Sequence, residues 1–165
     1  MNMRISPMSL VSEGRYLTKD EQEELLAYAA ALPKKIRYAD LLEQKEGVII
    51  GNLTEEMKRR YPNFAKFHDQ AWGKCQRDTS LVLRYDVQAM VFDDMKMLDD
   101  KLLYWLRTIL SASNMTPKFV SDCYTILRDQ VKAEVSAEAF AALQPYLQRN
   151  IDVLSDFPEP ATPAV

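Results

Sequence analysis

Apolar residues recur every three or four positions along most of the chain, which predicts amphipathic helices packed around one core. The first helix begins at a capping box formed by Thr18 and Glu21. Pro33 is expected to interrupt this helix, because proline lacks the backbone N–H that a helix interior needs. Beyond it the pattern resumes and stops at Tyr61-Pro62, so one long helix or two short helices fit this stretch.

Further segments of helical periodicity follow at about residues 64–92, at about 98–113, after the cap Thr116 with Pro117, and after the cap Ser136. Cys75 lies at the centre of the first of these segments. Pro145 is expected to kink or divide the last one. The sum is six or more helices around one core, which favours an all-α fold of globin type.

The composition fits a single domain. The 165 residues are 47% hydrophobic and include only four glycines, so few residues suit the tight turns of a sheet. We expect residues 1–155 to form one globin-like domain and the Pro-rich residues 156–165 to form a disordered tail.

Charge and cysteine content exclude several classes of protein. The formal net charge of −3 favours neither nucleic acid nor an anionic membrane as a partner. The sequence has no apolar run of membrane-spanning length and no signal-peptide stretch at its start. Two cysteines do not make a disulfide framework, so we expect a cytoplasmic protein in a reducing compartment.

Four motifs, in order and spacing, are similar to those of one known family. They are Arg15-Tyr16-Leu17, Cys75-Gln76-Arg77-Asp78 with the later Leu83-Arg84, Asn114-Met115-Thr116-Pro117, and Ser136-Ala137-Glu138. Together they resemble the phycobiliproteins of the cyanobacterial phycobilisome, over almost the whole chain. The resemblance implies a globin-like, all-α fold that holds a bilin, a linear tetrapyrrole of the phycocyanobilin or biliverdin type used in photosynthesis.

The resemblance also implies roles for three residues on one helix. Cys75 would add to a side group of an end ring and hold the chromophore through a thioether. Asp78 lies one helical turn further on the same face, where its carboxylate can accept hydrogen bonds from the central pyrrole nitrogens. Arg77 can reach a propionate at the flank of the pigment.

Other residues leave alternatives open. Arg84 resembles a further family arginine that contacts the pigment. Trp72 either stacks on the bilin or belongs to the core. His68 is either a satisfied surface histidine or a partner of a propionate or ring nitrogen, and Cys123 is expected to be a buried core thiol.

The chain also departs from the family pattern. Only twelve residues separate Pro62 from Cys75, several fewer than in light-harvesting members, and the basic residues expected just before the cysteine are replaced by Gln70, Ala71 and Trp72. Val87-Gln88 and Trp105 stand where the family has other residues, and these changes are expected to reshape the far end of the pocket.

Several other classes of site lack the residues they need. The expected haem ligand, a histidine at about 98–113, is absent, so haem is not expected. The sequence contains no metal-ligand cluster, no nucleophile-base arrangement and no glycine-rich phosphate loop, so the protein is not expected to be an enzyme.

Three hypotheses for function remain. The first is a divergent bilin carrier linked to bilin metabolism, as in bilin biosynthesis-associated globins. The second is a light-harvesting phycobilisome subunit, and the third is a pigment-free module for phycobilisome assembly. We rank the carrier slightly ahead of the antenna subunit. The partners implied are a bilin, a second subunit in a homo-oligomer or αβ-type pair, and a bilin lyase or reductase, in a cytoplasmic protein that can lie peripheral to the thylakoid membrane.

Overall fold

The computed structural model describes residues 14–66 and 69–163, and 82% of these residues are helical. The elements, in chain order, are α1 (Lys19–Arg60), a 3-10 turn (Phe64–Lys66), α2 (Ala71–Phe92), α3 (Met95–Leu98), a π-helical segment (Asp99–Leu103), α4 (Tyr104–Ala112), α5 (Pro117–Glu134) and α6 (Ala137–Leu154). Because α3, the π segment and α4 follow without a break, the described residues form five continuous rods and no strand. The all-α prediction is confirmed.

The predicted helix starts agree with the capping geometry. The Thr18 hydroxyl accepts from the Glu21 N–H at 3.3 Å, and the Glu21 carboxylate accepts from the Thr18 N–H at 2.7 Å. The Arg15 guanidinium binds the same carboxylate at 2.6 and 2.8 Å and, with the backbone bond, lowers the pKa of Glu21 to about 2. The Thr116 and Ser136 hydroxyls accept from the N–H groups of Phe119 and Ala139 and so cap α5 and α6.

The expected interruption at Pro33 is wrong, because the helix continues through this proline; the last helix is not divided at Pro145, and a kink there stays a prediction. Pro33 lies within α1 and Pro145 within α6. Both prolines are exposed, and so is Ala29, whose carbonyl loses its helical partner at Pro33. Since water can hydrate the freed carbonyl on the solvent side, the ring costs less there than in the core.

One predicted boundary is also wrong. The segment expected over about 64–92 is a 3-10 turn followed by α2, which begins only at Ala71. At its other end α2 stops at Asp93 in a left-handed conformation with a φ of 55°, and the Asp94 side chain then caps α3. These two aspartates therefore redirect the chain between α2 and α3.

The core lies where α1, α2, α5 and α6 meet. Its largest fully buried side chains come from every rod: Leu42, Ile49, Leu53, Met57, Leu83, Met90, Leu98, Leu102, Leu103, Leu127, Leu143 and Leu147. Within the described ranges, no helix combines the length and hydropathy needed to cross a bilayer.

A buried polar pair joins α2 to α6. The Asn150 amide donates to Asp86 Oδ2 at 2.7 Å, and neither residue is exposed to solvent. Burial raises the pKa of Asp86 well above its usual value, although the bond from Asn150 acts in the opposite direction. Oδ1 of each residue has no hydrogen-bond partner among the described residues. A protonated Asp86 accounts for both atoms, because its carboxyl proton can be donated to Asn150 Oδ1.

We expect Asp86→Asn to remove a pH dependence of stability. The unfolded aspartate ionises above about pH 4 while the folded one stays neutral, so the protein loses about 1.4 kcal/mol of unfolding free energy per pH unit from there up to the raised pKa. An asparagine is neutral at every pH and can supply the missing donor to Asn150. Urea unfolding followed by circular dichroism between about pH 5 and 7 measures the difference.

The matched control is Asp129→Asn, since the Asp129 side chain is 58% exposed. Its stability is expected to follow that of the wild type at each pH. Equal pH slopes for the wild type and Asp86→Asn would show that Asp86 is ionised in the folded protein.

Candidate functional site

A cavity of about 400 Å³ opens between the start of α2, the end of α4 and the first half of α5. Its apolar wall consists of Phe64, Ile109, Leu110, Met115, Phe119 and Val120. Its polar side consists of Lys74, Cys75, Arg77, Asp78, Thr79, Cys123 and Tyr124. A volume of this size falls in the range of roughly 300–1,000 Å³ that is typical of small-molecule sites.

Cys75 is held in the second turn of α2 with its free thiol at the cavity. The hydroxyl of the buried Thr79 donates to the Cys75 carbonyl at 2.8 Å, so the next turn of the helix fixes the backbone. The Cys75 side chain is partly buried against the core. A thiol in this position is reachable from solvent and lies on a rigid stretch of backbone.

Asp78 follows Cys75 by one helical turn and lines the same cavity. The neighbouring Arg77 guanidinium donates to Asp78 Oδ1 twice, at 2.8 Å from Nη2 and 3.0 Å from Nε. Both bonds end on one oxygen, so Oδ2 can still accept a hydrogen bond from a ligand. The Arg77 side chain is 71% exposed, and this pair therefore lies at the rim of the cavity.

Lys74 lines the cavity, although the replacement of the family's basic residues by Gln70, Ala71 and Trp72 predicts the loss of cations before Cys75. Its position three residues before Arg77 puts both cations on one face of α2, and this spacing is the signal that could have identified it.

Cys123 is also part of this site. It is buried, with 4% of its surface exposed, as a core thiol is expected to be. It also lines the cavity, where the nearby Cys75 thiol and burial both raise the pKa of the Cys123 thiol. Burial likewise raises the pKa of the neighbouring Tyr124. No sequence signal connected the two cysteines, which are far apart along the chain.

Two of the predicted site residues lie away from this cavity. Arg84 forms an ion pair with Glu46 of α1 at 2.7 and 2.9 Å, beside a separate groove of about 640 Å³ between α1 and α2. Trp72 packs edge-on against Phe64, with 4.8 Å between ring centroids, and so supports the apolar wall from behind. His68 lies outside the described residues.

The positions expected to reshape the far end of the pocket do not line it. Val87 and Gln88 face the groove beside Arg84, and Trp105 is 56% exposed on α4. Within residues 14–66 and 69–163, no group of three or more histidine, cysteine or acidic side chains could hold a metal ion.

Comparison with known proteins assigns a family to this arrangement. The family model described as "Phycobilisome protein" matches residues 9–154. The chain is 22% identical to allophycocyanin subunit alpha-B of Synechocystis sp. (strain ATCC 27184 / PCC 6803 / Kazusa), over 86% of this chain and 91% of that protein. It is 23% identical to allophycocyanin subunit beta-18 of Picosynechococcus sp. (strain ATCC 27264 / PCC 7002 / PR-6), over 91% and 94%. It is also 23% identical to the R-phycocyanin beta chain of Polysiphonia urceolata, over 76% of each chain.

Proposed function

Because the chain belongs to the phycobilisome protein family, whose fold is globin-like and all-α, we propose that it is a bilin-binding, light-harvesting subunit. The observation that carries this proposal is the cavity that groups Cys75, Arg77 and Asp78 beside an apolar wall. When bound, a bilin supplies the absorption of visible light. The proteins of this family are pigment subunits rather than enzymes, and we expect the same of this chain.

The donor set of the cavity fits an open-chain tetrapyrrole. Such a pigment has apolar rings, pyrrole N–H groups along one edge and two propionates. Ile109 and Phe119 on the opposite wall offer apolar contact to the rings, while Asp78 offers a carboxylate to the N–H groups. Lys74 and Arg77 at the rim supply one cation for each propionate.

Attachment would use the Cys75 sulfur. The thiolate adds to a carbon of the exocyclic double bond on an end ring, a C–S bond forms, and the π electrons take up a proton at the neighbouring carbon. No group leaves, so the step needs no oxidant or reductant. Whether a lyase assists this addition is a separate hypothesis, and so is a reductase as partner.

The light-harvesting role now ranks ahead of the carrier role. The relatives named above are allophycocyanin and phycocyanin subunits, and the alignments cover most of each chain. Phycobiliproteins form αβ pairs. Near the start of the described residues Tyr16 is 98% exposed and Leu26 is 69% exposed, and we propose these apolar side chains as contacts in such a pair.

The other two hypotheses have less support. No feature of the described residues favours a carrier role in bilin metabolism over an antenna role, and it stays a prediction. A pigment-free assembly module would not need a thiol and a carboxylate in one cavity. Since phycobilisomes lie on the thylakoid surface, we propose a peripheral location there for this protein.

Replacing Cys75 with alanine is expected to abolish covalent attachment. The protein is co-expressed with a phycocyanobilin-producing pathway, denatured, separated by electrophoresis and examined for zinc-induced fluorescence. The matched control is Cys123→Ala, which removes the other thiol of the same cavity and is expected to keep the fluorescent band. A band lost in Cys123→Ala but kept in Cys75→Ala would reverse the assignment, and no pigment on the wild type would contradict bilin binding.

Replacing Asp78 with alanine is expected to shift the absorption of the bound pigment to shorter wavelength and to broaden it. Without the carboxylate the pyrrole N–H groups lose their acceptor, and the pigment is no longer held extended. The absorption spectrum of the pigment-loaded protein measures this change. Asp129→Ala, at an exposed position outside the cavity, is the control and should leave the spectrum unchanged. An unaltered spectrum in Asp78→Ala would mean that this carboxylate does not contact the pigment.

Replacing Leu26 with glutamate is expected to weaken subunit pairing. A leucine buried at an interface contributes about 1.5–3 kcal/mol, so its loss weakens association about tenfold or more. Sedimentation velocity of the pigment-loaded protein, mixed with an allophycocyanin subunit of the opposite type, reports the pair. Leu26→Met keeps an apolar side chain there and serves as the control. A wild-type protein that stays monomeric with its pigment bound would favour the carrier role instead.

A further inference from the structure

The chain's only two cysteines line one cavity. Cys75 lies on α2 and Cys123 lies on α5, and both side chains line the cavity described above. Cys75 also packs against the buried core cluster to which Cys123 belongs, and the Cys75 thiol is close enough to raise the pKa of Cys123.

The two thiols differ in exposure. Cys75 is partly exposed, whereas Cys123 is 4% exposed. The nearby Cys75 thiol and burial both raise the pKa of Cys123, so this residue stays a protonated thiol. An oxidant dissolved in water therefore reaches Cys75 first, with a second thiol already beside it.

We propose that Cys75 and Cys123 form a peroxide-sensitive dithiol pair that closes the bilin attachment site when it is oxidised. Cys75 is the thiol that meets the oxidant, and Cys123 is the resolving thiol. Redox-sensing cysteines are accessible to solvent and often lie next to a second, resolving cysteine.

The chemistry balances with hydrogen peroxide as the oxidant. The Cys75 sulfur attacks one peroxide oxygen, the O–O bond breaks, and a sulfenic acid and one water form. The Cys123 sulfur then attacks the sulfenic sulfur, an S–S bond forms, and the hydroxyl leaves with the Cys123 proton as a second water. Two thiols thus give up two electrons and two hydrogens to one peroxide. A dithiol reductant reverses the change by exchange.

This pair would regulate the same site that the proposed function uses. Cys75 in a disulfide has no thiol to add to a bilin, so pigment attachment would require reducing conditions. That consequence rests on the proposed function, but the formation of the disulfide does not, and the two can be tested separately.

The test uses the full pigment-free chain, first reduced with dithiothreitol, then freed of reductant and treated at low protein concentration with a small excess of hydrogen peroxide. Intact mass spectrometry and tryptic mapping follow. We expect the monomer to lose two hydrogens without gaining oxygen and the peptides that contain Cys75 and Cys123 to be linked. In the matched Cys123→Ser variant, oxidation of Cys75 is expected to stop at a sulfenic acid that dimedone traps.

Closure of the site is measured with fluorescein maleimide, an electrophile that the Cys75 sulfur attacks directly. Reduced protein is expected to be labelled at Cys75, peroxide-treated protein to lose that labelling, and dithiothreitol to restore it. In Cys123→Ser, peroxide followed by dimedone is expected to remove the labelling irreversibly, whereas in the wild type dithiothreitol still restores it because a disulfide does not react with dimedone.

Three results would overturn the proposal: a wild-type monomer that gains oxygen instead of losing two hydrogens, links only between chains, or labelling of Cys75 that persists in a disulfide-linked sample. Because none of these measurements uses a pigment, failure of bilin binding in the expression experiment would leave the dithiol pair standing, and the reverse also holds.

Discussion

Apolar contact between the second half of α1 and the two helices α2 and α5 is the constraint on which the rest of the structure depends. The side chains of α1 that face them, Ile49, Leu53 and Met57, are fully buried. Burial of each contributes about 1.5–3 kcal/mol. Since α1 is one continuous helix of 42 residues, it fixes the positions of α2 and α5 relative to each other. The cavity is the space that remains between α2 and α5 beyond the edge of the core.

The distribution of charge in the cavity follows from the cost of burying ions. Arg77 lies at the rim with its guanidinium largely in water, and it pairs with a carboxylate that is only 33% exposed. Exposed pairs of this kind contribute little to stability. They can therefore exchange one partner for a ligand at small cost, whereas a fully buried pair would resist such exchange. Among the described residues, the apolar wall of the cavity carries no charged side chain that could compete for a ligand.

The sequence predicted the parts of this fold that depend on local chemistry. The caps at Thr18, Thr116 and Ser136 and the face shared by Cys75 and Asp78 follow from spacing alone. Spacing alone does not predict whether a proline ends its helix. Pro33 does not end α1, because its position is exposed to water. The partnership of Cys75 with Cys123 depends on how α2 and α5 pack, and no local pattern contains that information.

A light-harvesting pigment needs a rigid pocket, because an excited bilin that can twist loses its energy as heat. Here the walls come from the 3-10 turn, α2, α4 and α5, and each wall is continuous with buried residues such as Phe64, Val82, Leu106 and Leu127. Interiors packed at that density resist deformation. A carrier that must release its bilin gains nothing from such anchoring, and a covalent thioether would oppose release. The same walls carry Cys75 and Cys123, so the rigidity that suits emission also fixes both thiols at one cavity.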